Sequence, residues 1–312
     1  MLAAVAFLAI AQTAPKLPRV VMILGGTEAS AGPFAESFLE GMRQAGQIQG
    51  RTVQIDLRYA EFAAVRPLIN EVVAETPAVL VVGGLSAARY ARDATTTVPV
   101  VVATSSDLAD AGIVQSLARP GGNITGISDL TDEITVKRLE LLRAALPNAS
   151  RVVLLVNPEF PAMSKIEARV QAAAPSLGFK VSSVSAKDRA SLEKALDSLE
   201  TSRPDTLIAT DALAVQLAAE LIKRATALRI PIVHFWPGTA EQGALLSYQA
   251  DVHDNFRRAA GYVDKILKGT KPSDLPIYQS ARYELVVNAK VARTLGLTLP
   301  PSFLARADRV IQ

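Results

Sequence analysis

Arg19-Val20-Val21-Met22-Ile23-Leu24 returns 132 residues later as Arg151-Val152-Val153-Leu154-Leu155-Val156. Each stretch is a short, continuous apolar run, the first ending at Gly25-Gly26. Such a run reads as a strand buried on both faces, which is what a parallel sheet covered by helices requires. Outward from these strands the two halves stay in step. Val53 corresponds to Val181, Val79-Leu80-Val81-Val82 to Leu207-Ile208-Ala209-Thr210, and Pro99-Val100-Val101 to Pro231-Ile232-Val233, at offsets of 128 to 132 residues. Helical stripes fill the intervals: Phe34, Phe38 and Met42, then Val65, Leu68, Ile69, Val72 and Val73. The second half has Leu192, Ala195, Leu196 and Leu199, then Leu213, Leu217 and Leu221. Strand–helix alternation occurring twice predicts an α/β protein of two doubly wound parallel-sheet lobes, joined by a hinge around a central cleft.

Ile124 to Ser128 is the expected crossover strand, leading through Asp129-Leu130-Thr131 into a helix with Leu139, Leu142 and Leu146. After the second half come a strand from Ala244 to Tyr248, a helix with Val252, Phe256, Val263 and Leu267, and a strand from Tyr283 to Asn288. This tail has no partner in the repeat. The expected domains are therefore discontinuous: 19–128 plus about 250–280, and 129–249 plus about 281–312.

The composition suits two packed cores: 49% hydrophobic and 20% charged residues over 312 positions. A net charge of +3, with Lys and Arg scattered, offers no stripe for nucleic acid. Absence of cysteine excludes disulfides, thiolate chemistry and cysteine-built zinc sites. Leu2 to Ala11 is an apolar run too short to span a bilayer, followed by Gln12, Thr13 and Pro15. With Ala9-Ile10-Ala11 as a small-x-small cleavage site, residues 1–14 read as a signal peptide and place the mature chain in the periplasm, although a basic n-region is missing.

In open α/β sheets a ligand lies beyond the carboxyl ends of the strands. No HExxH, GxSxG or phosphate loop occurs there, and His234 and His253, the only histidines, read as structural. The expectation is a non-enzyme without cofactor or metal. Binding groups, by contrast, are plentiful. Gly83-Gly84-Leu85-Ser86 places a hydroxyl and free N–H groups at a helix N-terminus, suited to a carboxylate. Thr104 and Ser105 follow the next strand, and Asp211 ends a strand of the second half, where it suits an ammonium. The plainer reading is that Ser86, Ser106 and Asp211 only cap helices. Trp236, the single tryptophan, and Tyr59 and Tyr248 end strands, where an aromatic ring covers a flat or apolar ligand. Gly26 and Thr27 in the first loop, Asp129 at the crossover and Asn157 in the second half complete the candidate ligand-binding set.

The chain also resembles the ABC transporter substrate-binding protein family that includes tryptophan- and tyrosine-binding members, of the type I periplasmic binding fold. The resemblance rests on Thr95-Thr96-Thr97-Val98-Pro99-Val100-Val101, Ser116-Leu117-Ala118-Arg119-Pro120-Gly121-Gly122-Asn123-Ile124-Thr125-Gly126 and Lys137-Arg138-Leu139-Glu140-Leu141-Leu142. It continues through Pro272-Ser273-Asp274-Leu275-Pro276 and Leu295-Gly296-Leu297-Thr298-Leu299-Pro300-Pro301. It implies a monomer that captures a small solute, an amino acid or related carboxylate, and hands it to ABC permease subunits. It implies further that Ser86 and Thr104 hold a carboxylate and Asp211 an ammonium. The chain departs from the family in having Ser105-Ser106-Asp107 where Gly-Gly-Asp is common. A ligand-sensing module for a membrane receptor is the alternative, and a two-lobe α/β enzyme a more distant one.

Overall fold

The computed structural model describes residues 17–129, 131–160, 162–236 and 238–312; the leader read at 1–14 lies outside them. The first half runs β1 (Arg19–Gly25), α1 (Glu28–Gln44), β2 (Gln54–Ala60), α2 (Phe62–Ala74), β3 (Val79–Gly83), α3 (Leu85–Ala94), β4 (Val100–Thr104) and β5 (Ile124–Ser128). The second runs α4 (Thr131–Ala145), β6 (Arg151–Val156), α5 (Met163–Ala173), β7 (Lys180–Ser185), α6 (Arg189–Ser202), β8 (Thr206–Ala209), α7 (Ala212–Gln216), α8 (Ala218–Ala227), β9 (Ile232–His234), α9 (Thr239–Gln242) and β10 (Leu246–Ala250). The tail adds α10 (Val252–Leu267), β11 (Tyr278–Gln279), β12 (Tyr283–Asn288), α11 (Ala289–Leu295), α12 (Pro301–Leu304) and β13 (Arg309–Ile311).

Two sheets result, in the orders β11-β5-β4-β3-β1-β2 and β13-β12-β10-β9-β8-β6-β7. Their first five strands have the same spatial order. The apolar runs are explained by the faces they serve. Val20, Met22 and Leu24 enter one core of the first lobe, while Val21 and Ile23 enter the other. Val152 and Leu154 against Val153 and Leu155 repeat this in the second lobe. Successive side chains of a strand point to opposite faces, so covering both faces requires an unbroken run.

The strand registers differ from the sequence alignment of the halves. Val20 sits opposite Ile55 and Val79, and Val152 opposite Val181 and Thr206. Ile55 thus matches Val181, and Val79 matches Thr206 rather than Leu207. The second shift is of one residue between runs buried on both faces, which have no alternation to reveal it; the first is of two residues, which leaves a strand's alternation unchanged.

The chain crosses between the sheets three times. Ser128 leads from β5 to α4, Asp251 from β10 to α10, and 280–282 from β11 to β12. α10 returns to the first lobe, where Val252, Phe256, Ala259, Ala260 and Val263 join α1 in one core. Gly41 permits that helix contact, since a Cβ there meets the Arg257 carbonyl oxygen at 2.5 Å. Gly126 is needed in β5, where φ is +141° and a Cβ falls 2.1 Å from the Val102 oxygen.

Candidate functional site

The lobes meet through segments that follow the carboxyl ends of strands. Phe160, after β6, packs against cores of both lobes. Lys165 of α5 pairs with Asp110, which follows β4. Trp236, after β9, meets Phe34 of α1 edge-on, with ring centroids 5.2 Å apart. The aromatic line continues to Phe256 behind Phe34 at 5.6 Å, and to Phe235 and His234 on the other side. His234 fixes its end: its Nδ1 accepts from the Trp236 amide at 3.0 Å, and burial lowers its pKa to about 3, leaving the ring neutral.

Both lobes also bury polar groups just beyond the carboxyl ends of their strands. Ser105 is 4% exposed and its Oγ has no partner. Thr210 is 1% exposed with an unpartnered Oγ1, and Asp211 is 2% exposed with an unpartnered Oδ2. A buried polar atom without a hydrogen bond costs about 1–3 kcal/mol. Three such atoms follow strand ends, one in the first lobe and two in the second, and form the candidate site. The Arg89 Nε on α3 is a fourth buried atom without a partner.

Asp211 is the N-cap of α7, with Oδ1 accepting from the Ala214 amide at 3.1 Å. Burial raises its pKa, against the lowering by the Ala214 amide and the Asn157 side chain. Asn157 and Asp211 are thereby brought together. Capping accounts for one carboxylate oxygen and leaves the other without a hydrogen bond.

The remaining candidates are distributed as follows. Ser86 lies in the first turn of α3, whose N-cap is Gly84 at φ +90°, so Ser86 is not a cap. Ser106 opens no helix. Thr104 donates its hydroxyl proton to Asp129 Oδ2 at 2.7 Å, so its oxygen keeps only acceptor capacity; a ligand carboxylate has no donor to find there. Asp129 sits in the hinge. Its Oδ1 accepts from Asn255 Nδ2 and Ser280 Oγ, both at 2.8 Å, and its Oδ2 also takes Gln249 Nε2 at 3.3 Å. Burial raises its pKa although Thr104, Ser280 and Asn255 all favour the charged form. Gly26, at φ +111°, ties the first loop to the Ala60 oxygen, and Thr27 caps α1 in a capping box with Ser30. Tyr59 is half-buried against the α1–α10 core. Tyr248 stacks on Tyr283 at 5.8 Å and its carbonyl accepts from Arg138 Nε.

Sequence reasoning passed over Thr210, Phe34, Phe160 and Arg138. Thr210 adjoins Asp211 at the same strand end, a signal available in the chain. Arg138 figures in the sequence only within Lys137-Arg138-Leu139-Glu140-Leu141-Leu142, yet it is fully buried, and burial lowers its pKa to about 9. Among the described residues no group of three or more His, Asp or Glu side chains is placed to hold a metal ion. No described helix is long and apolar enough to cross a membrane.

Two α/β lobes, a three-stranded hinge and an interior lined by orphaned polar atoms define a bilobal binding protein. The chain belongs to the ABC transporter substrate binding protein family, whose sequence pattern matches residues 29–311. It is 23% identical over 269 residues to the tyrosine-binding protein of Clostridioides difficile, covering 84% of this chain and 76% of that one. A conserved domain protein of Vibrio cholerae is 26% identical and superposes with a TM-score of 0.87, over 95% of this chain and 100% of that one. An ABC domain from Streptococcus pneumonia, solved in complex with L-Trp, is 24% identical with a TM-score of 0.87 and the same coverage. The fold is that of the type I periplasmic binding proteins.

Proposed function

We propose that this chain is the extracytoplasmic, periplasmic receptor of an ABC importer, a monomer that encloses one amino acid between its lobes and presents it to the permease. The observation that carries the reading is Asp211. Its carboxylate is buried, one oxygen is engaged by its helix, and the other has no partner. An ammonium group satisfies that oxygen and offsets the burial that raises the pKa. Thr210 Oγ1 stands beside it, and Ser105 Oγ of the first lobe is the donor for the carboxylate end. Ligand contacts on both lobes favour the closed arrangement by differential affinity. The aromatic line through Phe34, Trp236 and Phe235 supports a flat side chain, as do a relative named tyrosine-binding and a tryptophan-bound structural neighbour.

The test is calorimetric titration of the purified chain with L-tyrosine and L-tryptophan, beside the same molecules lacking the amino group. Micromolar or tighter binding of the amino acids and at least tenfold weaker binding of the deaminated forms is expected. Equal affinity for both, or conversion of either, overturns the reading.

A further inference from the structure

We propose that Asp129 is the positioning residue of the hinge, holding the three crossovers in the closed geometry and tying that geometry to Ser105 of the candidate site. The inference rests on the reading that solute is enclosed between the lobes, and it adds what controls the enclosure.

The carboxylate gathers one element from each crossing. Asp129 itself stands on the first. Gln249 and Asn255 flank the second, one on β10 of the second lobe and the other on α10 of the first. Ser280 begins the third. The four donors, Thr104, Gln249, Asn255 and Ser280, fill two sites on each oxygen, which is the full acceptor capacity of a carboxylate. Ser280 Oγ also lies 2.9 Å from Asn255 Oδ1, a competing acceptor for the one hydroxyl proton that it gives to Asp129. Thr104 and Asn255 belong to the first lobe and Gln249 to the second. Rotation of one lobe on the other therefore moves donors apart around a single acceptor.

Two further links run outward from this point. Toward β4, the Asp129 amide donates to the Ser105 carbonyl, so the hinge is bonded to the residue whose buried hydroxyl has no partner. On the second lobe, Gln249 Oε1 accepts from Arg138 Nη2 at 2.9 Å. The glutamine amide thus bridges a buried cation to a buried anion. Arg138 is anchored by the Tyr248 carbonyl at 2.9 Å and Thr135 Oγ1 at 3.0 Å, and its guanidinium lies 5.9 Å from the Phe235 ring centroid. Phe235 leads to Trp236 and so to the interlobe aromatic contact. Ser105, the hinge and the interlobe aromatic contact form one continuous chain of contacts through Asp129.

Asp129→Asn keeps the shape but turns an N–H2 toward two of the four donors. Ser280→Ala removes one donor and leaves the charge. Both are compared with the parent chain by small-angle scattering with and without L-tyrosine, by Trp236 emission, and by tyrosine affinity. Folding is followed by circular dichroism. Asp129→Asn is expected to raise the radius of gyration of the ligand-free protein, to red-shift Trp236, and to weaken tyrosine binding about tenfold, with Ser280→Ala intermediate. Where Asp129→Asn does not fold, Ser280→Ala decides. A folded variant with lower melting temperature but unchanged radius, emission and affinity overturns the inference, because that is the signature of passive glue. If the parent chain binds neither tyrosine nor tryptophan, the ligand reading fails. The ligand-free radius and emission then decide on Asp129 alone, equality with the parent overturning it.

Discussion

At the scale of single residues, Asp211 and Asp129 are two buried carboxylates in opposite situations. Asp129 has every acceptor site filled, whereas Asp211 has one oxygen bonded and one bare. The difference predicts different variants. Asp211→Asn keeps a good helix cap, since Asn and Asp rank together at that position. It removes the charge that an ammonium needs, so amino-acid affinity falls roughly 10- to 100-fold, the worth of a charge-assisted hydrogen bond. Its effect on stability has the reverse sign. Burial raises the Asp211 pKa above its unfolded value, so the stability linked to this group is full in acid and lost as pH rises through the folded pKa. Removing the charge therefore raises the melting temperature at pH 7, by about 1–3 °C. The gain disappears below the usual carboxylate pKa of about 4. Melting curves at pH 4 and pH 7 read this directly. A second consequence concerns the parent chain. Protonation of Asp211 competes with an ammonium ligand, so amino-acid affinity declines as pH falls, starting above the ordinary carboxylate range. Titrations from pH 7.5 to pH 4.5 show the decline in the parent and its absence in Asp211→Asn. Of this residue, the chain discloses an acid at the end of a buried strand. It does not disclose the bare oxygen, which depends on how α7 sits on β8.

At the scale of elements, the strands were legible because burial on both faces leaves an unmistakable mark, and the fold class followed from their repetition. Register was not legible for the same physical reason. Val79-Leu80-Val81-Val82 and Leu207-Ile208-Ala209-Thr210 align by composition, but hydrogen bonding equates Val79 with Thr206. The hinge was equally hidden, since Thr104, Gln249, Asn255 and Ser280 converge on Asp129 from 25 to 151 residues away. No local pattern announces such a meeting. Helix packing offers a test at this scale. α1 lies on α10 through Gly41, where a Cβ meets the Arg257 oxygen at 2.5 Å and the Ala260 Cβ at 2.8 Å. Gly41→Ala gains up to about 1 kcal/mol of helix propensity. Separating the helices costs about 1–3 kcal/mol in overpacking. The clash is with backbone and cannot be relieved by a rotamer change, so the variant is expected to be less stable by about 1–2 kcal/mol in urea denaturation. A stabilised variant means that the helices part easily.

At the scale of the whole molecule, the ion pair and the aromatic pair that join the lobes differ in magnitude. Lys165 and Asp110 are partly exposed, at 42% and 52% of the side chain. Pairs so exposed contribute about 0–1 kcal/mol and weaken with salt. Phe34 and Trp236 meet edge-on at 5.2 Å, with Phe34 7% exposed inside the first-lobe core. Aromatic pairs of this kind add about 0.5–1.5 kcal/mol beyond the area they bury. Because the pair forms only when the lobes are together, its energy counts toward closure, and solute affinity follows the closed population. Lys165→Ala is therefore expected to change affinity less than about fivefold, and less still at high salt. Phe34→Leu keeps the core filled and loses the ring, so affinity drops by about three- to tenfold, independent of salt. Since Trp236 is the only tryptophan in the chain, its emission follows that contact without labelling. Loss of the solute-dependent shift in Phe34→Leu, with retention in Lys165→Ala, assigns closure to the aromatic contact. The opposite ordering assigns it to the ion pair.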